Sequence, residues 1–252
     1  MSGHSKWSKI KRKKGALDAK RSNIFSRLSK EITVAVKEGG ISDPSMNARL
    51  RIAVMNAKGQ NMPKDNIDRA ISKGEKDGND LAEIFLEGYG TGRVAVFVEC
   101  LSDNNNRTVA DIRHIFNKRG GSLATKGSLN FIFDRKGIFY IPVKANVNIE
   151  ELELEFIESG AEDIEIEDDM IIVTTALQDF GNFNRKLEEL GIEPQKAELQ
   201  RIPNVDKHLS VSEAKTALRM VEELEENEDV QSVYHNLEMT EELERALEED
   251  QG

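Results

Sequence analysis

The sequence predicts an α+β protein with three domains: a small helical domain at the N-terminus and two α/β sandwich domains. Apolar side chains recur at helical spacing through the first 76 residues, whereas alternation with a period of two becomes clear at residues 93–101. From residue 137 onward, strands and helices follow in the order βαββαβ, which is the order of a ferredoxin-like unit. We therefore expect this unit to be inserted in the other sandwich domain, whose last helix and strand follow it.

Charged residues are sorted along the chain. In total, 35 Lys and Arg residues stand against 46 Asp and Glu residues among 252, a formal net charge of −11. Residues 1–76 nevertheless hold 18 basic and 7 acidic side chains, whereas residues 132–252 hold 11 basic and 32 acidic ones. This sorting predicts two surfaces with opposite electrostatic partners, which a uniformly acidic enzyme would not need.

The composition excludes several classes of protein. No apolar run approaches the roughly 18–20 residues that a membrane span needs. Cys100 is the only cysteine in the sequence, which excludes a disulfide framework and a cysteine-based zinc cluster. The basic residues near the N-terminus are followed by no apolar core, unlike those of a secretory signal. We therefore expect a cytoplasmic protein.

The first predicted domain, residues 1–76, begins with a basic arm. Residues 1–16 lack a helical apolar stripe, so we expect them to be extended or disordered. A first helix is predicted over residues 18–38, and Gly39 and Gly40 end it. The apolar side chains of this helix fall on one stripe, which consists of Phe25, Leu28, Ile32, Ala35 and Val36.

Two shorter helices complete this domain. Asp43 and Pro44 are typical of an N-cap and a first-turn proline, which predicts a second helix with Met46 on its apolar side and Gly59 at its end. A third helix is predicted over residues 63–74, because a proline opens this segment and a glycine closes it.

The second predicted domain consists of residues 82–135 and 203–239. A short strand near residues 84–87 and a longer one at 93–101 flank the glycine-rich residues 88–92. A dinucleotide-binding loop would follow a strand and open a helix, whereas this glycine-rich segment precedes a strand. We therefore predict a hairpin turn.

The rest of the chain follows the same alternation of elements. A helix over residues 107–119 and a strand over 129–133 continue the second domain. Residues 136–202 form the predicted ferredoxin-like insertion. Residues 240–252 form an acidic tail, which we expect to be a frayed helix.

The arm carries the strongest local signal for nucleic-acid binding. Lys and Arg neutralise phosphates and release counterions, and Trp7 can stack on a base or a ribose. A terminus that is merely soluble is the alternative interpretation. The arm residues that we expect to contact nucleic acid are Lys6, Trp7, Lys9, Lys11, Arg12, Lys13 and Lys14.

The helices of the first domain continue this basic surface, because their basic residues lie mostly off the apolar stripes. Such a surface predicts phosphate contacts whose affinity falls steeply with salt concentration. The helix residues that we expect to contact nucleic acid are Lys20, Arg27, Lys30, Arg49, Arg51, Lys58, Lys64, Arg69 and Lys73.

A run of asparagines stands where a strand gives way to a helix. Asn104, Asn105 and Asn106 are good capping residues, and helix capping alone explains most of this pattern. The functional alternative is an anion or partner contact at the helix N-terminus, with Arg107 as a clamp for a phosphate or a carboxylate.

Signals for catalysis are weak. The four histidines lack the spacing of metal ligands, and neither a nucleophile elbow nor a phosphate-binding loop is present. The many acidic pairs of the C-terminal half are typical of a solvated face, and a divalent-metal enzyme built from them is a third hypothesis. We predict a protein that is not an enzyme and uses no metal and no cofactor.

Several short motifs resemble, in order, those of the YebC family, and together they span essentially residues 2–240. The turn at residues 91–93 and the acidic tail after Leu243 depart from the family pattern. The motifs are Gly3-His4-Ser5-Lys6-Trp7, Lys37-Glu38-Gly39-Gly40, Asn61-Met62-Pro63-Lys64-Asp65, Glu87-Gly88-Tyr89-Gly90, the segment from Glu99 to Thr108, and Arg135-Lys136-Gly137.

The resemblance implies three domains and a transcriptional regulator that binds DNA. Family members in bacteria and a mitochondrial relative are also linked to translation, on ribosomes that stall at proline-rich stretches. We therefore predict a nucleic-acid-binding regulator of gene expression without a membrane partner. The alternative is a ribosome-associated translation factor that binds ribosomal RNA. No residue-level active site comes with the resemblance.

Overall fold

A computed structural model of the chain describes residues 17–76, 81–143, 149–167 and 169–249. The predicted α+β class is confirmed, because helices in this part of the chain accompany two four-stranded sheets. In chain order the elements are α1 (Leu17–Gly39), α2 (Ala48–Gly59), α3 (Lys64–Gly74), β1 (Ala82–Tyr89), β2 (Ala95–Ser102), α4 (Asn105–Lys118), β3 (Ser122–Leu123), β4 (Phe133–Pro142), α5 (Ile149–Glu158), β5 (Ala161–Glu167), β6 (Met170–Ala176), α6 (Phe180–Glu189), β7 (Lys196–Pro203), α7 (Val211–Glu226), β8 (Val230–His235) and α8 (Glu241–Glu249).

The start of α2 differs from the prediction. Asn47, and not Asp43, is the N-cap, because the Asn47 side chain accepts a hydrogen bond of 3.0 Å from the Leu50 N–H. The Asp43 carboxylate instead accepts a hydrogen bond from the Ser45 N–H, which closes a turn before the helix begins. Met46 consequently lies outside the helix and is 71% exposed. A short polar side chain followed by proline is typical both of a helix N-cap and of a turn that precedes a helix. The sequence alone therefore did not distinguish the two.

Helix α1 is buried over more of its circumference than one apolar stripe predicts. Residues 32–36 are all buried, including the polar Thr33, whose hydroxyl donates to the Ser29 carbonyl oxygen at 2.8 Å. Because five successive residues point in every direction around a helix axis, α1 is enclosed at this level.

The first sheet has the order β3-β1-β2-β8. Strands β1 and β2 pair antiparallel from Ala82 and Ser102 to Tyr89 and Ala95, which confirms the predicted hairpin turn between them. Strand β8 pairs antiparallel with β2, although the chain forms the whole second sheet between these two strands. The ferredoxin-like unit is therefore inserted in this α/β unit, as predicted.

Each face of the first sheet carries a buried cluster of side chains. Helices α4 and α7 pack on one face, in a core that includes Val96, Val98, Ile112, Phe116, Leu218 and Val221. The opposite face is rich in aromatic side chains, and its buried cluster consists of Ala95, Phe97, Leu129, Phe133 and Tyr234.

The predicted strand at residues 129–133 is wrong. Residues 124–132 form a loop, and strand β4 begins only at Phe133. Leu129 is nevertheless 1% exposed, because it fills the aromatic face of the first sheet from this loop. An apolar residue that is buried from a loop looks, in sequence, like part of a strand.

The second sheet has the order β5-β6-β4-β7, which is the strand order of a ferredoxin-like unit and confirms that prediction. Helices α5 and α6 pack on it. The buried core includes Phe139, Ile141, Phe156, Val173, Phe183 and Leu187.

The acidic tail forms a packed helix within the described residues, in contrast to the frayed helix that we expected. Leu243 in α8 is 2% exposed and belongs to the core of the first sheet, and Leu247 packs against the same core one turn later. Because most other residues of this segment are acidic, its composition does not indicate that the two leucines form an apolar stripe.

The chain forms two compact units. The first comprises Met1–Val34, Lys76–Asp134 and Ile202–Gly252 and contains the sheet β3-β1-β2-β8. The second comprises Ala35–Glu75 and Arg135–Arg201, so helices α2 and α3 are grouped with the ferredoxin-like sheet. The predicted division into three domains is a finer one and stays a prediction.

Candidate nucleic-acid interface

Part of the predicted interface lies outside the described residues and stays a prediction. This part consists of the arm residues Lys6, Trp7, Lys9, Lys11, Arg12, Lys13 and Lys14 and of the side chain of Lys20. The remaining basic residues divide into a group with partners inside the fold and a group at the surface.

Arg27 in α1 contacts the end of α7, and Lys30 contacts the turn between α7 and β8. The Arg27 guanidinium donates to the main-chain oxygen of Glu225, and burial lowers the pKa of Arg27 against the opposing effect of the Glu225 carboxylate. The Lys30 ammonium donates to the carbonyl oxygens of Leu101 at 3.2 Å and Glu228 at 2.9 Å. Both cations that we expected on an outward basic stripe are therefore engaged within the first unit.

Asp229, in the turn before β8, brings Lys30 and Arg107 together. Its side chain is 5% exposed, and Oδ1 accepts a hydrogen bond from Lys30 Nζ at 2.9 Å. Oδ2 accepts one from Arg107 Nη2 at 2.9 Å, and the Ser102 and Thr108 hydroxyls donate to the same oxygen at 2.9 and 2.8 Å. The clamp predicted at Arg107 thus holds an internal carboxylate.

The charges of this cluster stabilise one another. Burial alone would raise the pKa of Asp229, but hydrogen bonds from the donors, with that of Arg107 the strongest, hold this pKa well below its ordinary value. The same hydrogen bond raises the pKa of Arg107. Burial, followed by the charge of Asp229, raises the pKa of the neighbouring Cys100 thiol to about 12, so this cysteine stays protonated at neutral pH.

Asn104 is the N-cap of α4. Its side-chain oxygen accepts a hydrogen bond of 3.1 Å from the Arg107 N–H, which confirms the capping interpretation. Asn105 and Asn106 are exposed in the first turn of α4. Their contact with an external partner stays a prediction.

Arg49 and Arg51 in α2 have partners within the second unit. The Arg49 guanidinium pairs with the Glu38 carboxylate. Arg51 Nε lies 3.1 Å from Glu188 Oε1 in α6, and its Nη1 donates to the Ser45 carbonyl oxygen at 3.2 Å. Both arginines stay half-exposed, so these contacts orient the guanidinium groups without removing them from solvent.

Lys58, Lys64 and Lys73 form the group of exposed, unpaired cations. These three side chains are exposed and have neither a hydrogen bond nor an ion pair within the described ranges of the chain. Lys58 lies near the end of α2, and Lys64 and Lys73 lie at the two ends of α3. We call them the exposed lysine triad.

The outward side of α3 is mixed in charge rather than uniformly basic. Asp65 and Asp68 are exposed on this helix, opposite the buried Ile67 and Ala70. Arg69, also exposed, donates to the Asp65 carbonyl oxygen at 3.1 Å and to the Asn66 side chain. The helix therefore presents separated cations instead of a continuous basic stripe.

Neither a metal cluster nor a membrane helix is found in the part of the chain that the structure describes. No three His, Cys, Asp or Glu side chains in this part are grouped so that they could hold a metal ion. No helix there is both long enough and apolar enough to cross a bilayer.

Family models match almost the whole chain. Residues 5–77 match the model described as the TACO1/YebC protein N-terminal domain, and residues 81–237 match the TACO1/YebC second and third domain. The chain belongs to the TACO1/YebC family. The resemblance of its short motifs to the YebC family is thereby confirmed.

Three curated relatives are about half identical to this chain over the aligned residues. A "probable transcriptional regulatory protein" of Dehalococcoides mccartyi is 50% identical over 205 residues, which is 81% of each chain. One of Rubrobacter xylanophilus is 50% identical over 222 residues, covering 87% of this chain and 88% of the relative. One of Syntrophotalea carbinolica is 51% identical over 219 residues, 86% of each.

A solved structure shows a similar fold. The crystal structure of a conserved hypothetical protein from Aquifex aeolicus matches with a TM-score of 0.79 at 39% sequence identity. The match covers 89% of this chain and 93% of that one.

Two buried carboxylates, those of Asp229 and Glu87, were not predicted from the sequence. Asp229 is one acidic residue among many, and nothing in its local sequence distinguishes it. Glu87, which is 4% exposed, accepts hydrogen bonds from the N–H groups of Gly127 at 2.6 Å and Leu129 at 2.7 Å. The glycine and serine at residues 127 and 128 were the available signal that a loop, and not a strand, stands there.

Proposed function

We propose that this chain is a non-enzymatic, nucleic-acid-binding regulator of gene expression that acts on DNA in the cytoplasm. The observation that carries the proposal is the sorting of charge, with 18 basic and 7 acidic side chains in residues 1–76. The exposed lysine triad supports it, because unpaired cations at the surface are available to phosphates. The names of the curated relatives agree with a regulatory role.

The proposed contacts are made mainly to phosphates. A helix that reads bases presents several side chains to the major groove from one side. The outward side of α3 carries Asp65 and Asp68, which would face the phosphate backbone unfavourably in a closely inserted helix. The arm and the exposed lysine triad would therefore position the protein on the nucleic acid, with little direct reading of sequence.

A gel-shift titration of the intact chain and of a variant lacking residues 1–16 tests this proposal. We expect the deletion to weaken binding to duplex DNA and to make it less dependent on salt, because phosphate contacts are lost. Unchanged affinity together with an unchanged salt dependence would exclude the arm as the contact.

A ribosome-associated translation factor is the second candidate, and would relieve stalling at proline-rich stretches. The mixed charge on α3 favours it, because separated cations suit the irregular, phosphate-dense surface of folded ribosomal RNA better than a regular groove. Sedimentation of tagged protein through a sucrose gradient at low salt distinguishes the two. Absence of the protein from every ribosomal fraction would rule out this candidate.

A further inference from the structure

The loop at residues 124–132 presents an exposed aromatic side chain. Phe131 is 88% exposed, more than any other large apolar side chain in the described part of the chain. Single apolar residues at a surface are common, but a phenyl ring of this exposure loses the free energy that burial would supply. The residues around Phe131 indicate whether its exposed ring serves as a binding site.

The loop that carries Phe131 is held in place by hydrogen bonds to Glu87 in strand β1. The buried Glu87 carboxylate accepts hydrogen bonds from two loop N–H groups, those of Gly127 and Leu129, at 2.6 and 2.7 Å. The Ala124 N–H donates to the Glu87 carbonyl oxygen at 2.8 Å. Leu129, two residues before Phe131, is 1% exposed in the aromatic face of the first sheet. These anchors fix the backbone on both sides of the loop turn.

Further hydrogen bonds order the turn itself. Backbone bonds run from the Ser128 N–H to the Thr125 oxygen at 3.1 Å and from the Ile132 N–H to the Leu129 oxygen at 2.9 Å. Gly127 has a φ of +91°, a conformation that an L side chain rarely adopts. The ring of Phe131 is thus presented by a preorganised loop, which lowers the entropy cost of binding through it.

Two polar residues of the same loop suit a nucleotide. Lys126 lies in the same loop, is exposed, and has no ion pair or hydrogen bond within the ranges that the structure describes. Asn130, also exposed, precedes the aromatic residue directly. An aromatic ring for stacking, a cation for the phosphate and an amide for a base edge are the groups that single-stranded nucleic-acid sites combine.

We propose that Phe131 is the stacking platform for one unpaired nucleobase, with Lys126 as the contact to its phosphate. This site rests on the proposed nucleic-acid binding and adds to it a preference for single-stranded or looped segments. A base inside a duplex has both faces covered by its neighbours, so the ring would not reach it.

An apolar surface of a partner protein is the competing occupant. Val205 is 61% exposed, and the N–H of the adjacent Asn204 donates to the Ile132 carbonyl oxygen at 2.9 Å. Leucine would satisfy such an apolar contact but has no π-face for stacking. The substitution Phe131→Leu therefore separates the two occupants.

Binding of the full chain to a single-stranded RNA with one 2-aminopurine, and to the same RNA in a duplex, tests the site. We expect wild type to bind the single strand more tightly and to quench the 2-aminopurine fluorescence. Phe131→Ala and Phe131→Leu should weaken single-strand binding by about 5- to 150-fold, the range for loss of one stacked base, and abolish the quenching. Phe131→Trp should retain both.

Charge variants give an independent readout. Lys126→Gln should reduce the slope of log affinity against log salt by about 0.7 on single strands, whereas Phe131→Ala should leave it unchanged. Because Phe131 is exposed, its substitutions should leave the circular dichroism spectrum and the unfolding midpoint unaltered.

The outcomes separate this site from the broader proposal. If wild type binds neither RNA nor DNA, the proposed function fails and the site fails with it. If wild type binds but Phe131→Ala binds equally well, only the stacking site is overturned. Retention of single-strand affinity by Phe131→Leu would overturn it in favour of an apolar contact.

Discussion

Asp229 shows how a single carboxylate can decide the role of the basic residues around it. Lys30 and Arg107 carry the charges that a phosphate site needs, yet both donate to this buried side chain. Since charge-assisted hydrogen bonds are shorter and stronger than neutral ones, an external phosphate would have to displace a well-satisfied anion. We therefore assign these two cations to the stability of the first unit rather than to ligand binding.

The substitution Asp229→Asn should lower the free energy of unfolding by about 2–3 kcal/mol, because it removes the charge of a buried acceptor that Lys30, Arg107 and two hydroxyls bind. Asp103→Asn is the matched control. Asp103 also pairs with Arg107, at 3.0 Å, but its side chain is 64% exposed, and exposed pairs contribute about 1 kcal/mol or less. Urea denaturation followed by circular dichroism measures both. Equal effects of the two substitutions would contradict the assigned role of Asp229.

The same variant has a predictable pH dependence. The pKa of Asp229 is lowered in the folded state, so its contribution is fully present above the unfolded pKa of about 3.9 and is lost as pH falls below that value. We expect the stability difference between wild type and Asp229→Asn to be constant from about pH 5 to 7 and to shrink below about pH 4. A difference that shrinks above pH 5 would point to another titrating group.

At the level of elements, a side chain can satisfy the backbone hydrogen-bonding groups that an edge strand leaves unpaired. Strand β7 is an edge of the second sheet, and edge strands expose unpaired backbone groups. The Asn56 amide in α2 donates to the Ala197 carbonyl oxygen at 2.8 Å and accepts from the Ala197 N–H at 2.9 Å. One buried asparagine thus both satisfies this part of the edge and attaches α2 to the ferredoxin-like sheet.

Helix α8 contributes to the core of the first unit despite its acidic sequence. Leu243→Ala should lower the free energy of unfolding by about 2–4 kcal/mol, because a buried leucine leaves a cavity when it is truncated. Glu242→Ala, at the adjacent exposed position, should change it by less than about 0.5 kcal/mol. Thermal or chemical denaturation gives the comparison, and a silent Leu243→Ala would mean that the helix is not packed in solution.

Elements with strong periodicity could be predicted from the sequence, whereas those that depend on distant partners could not. The βαββαβ order and the hairpin before β2 follow from local alternation and turn residues. The loop at residues 124–132 resembles a strand in sequence because Leu129 is buried. The Leu129 N–H donates the hydrogen bond that holds it to Glu87, 42 residues away in sequence. The inward contacts of Arg27, with the end of α7, and of Lys30, with the turn after it, join residues 198 and 199 positions apart, which no local pattern reveals.

For the whole molecule, the distribution of charge is more informative than its sum. The net charge of −11 alone argues against a nucleic-acid partner, yet the N-terminal 76 residues are strongly basic. In the described part of these residues, fewer cations are available to a ligand than the sequence suggests, because several of them have partners within the fold. We therefore propose that the remaining exposed cations, together with the arm, contact phosphate.

The salt dependence of nucleic-acid affinity tests this claim most directly. The comparison uses wild type and the exposed lysine triad variant, in which Lys58, Lys64 and Lys73 are replaced by glutamine. A variant with Arg113, Arg185 and Arg219 replaced by glutamine is the matched control, because it loses the same charge from exposed positions elsewhere. The slope of log affinity against log salt should fall in magnitude by about 2–3 in the triad variant and stay near the wild-type value in the control. Equal slopes for the two variants would contradict a phosphate contact at the N-terminal helices.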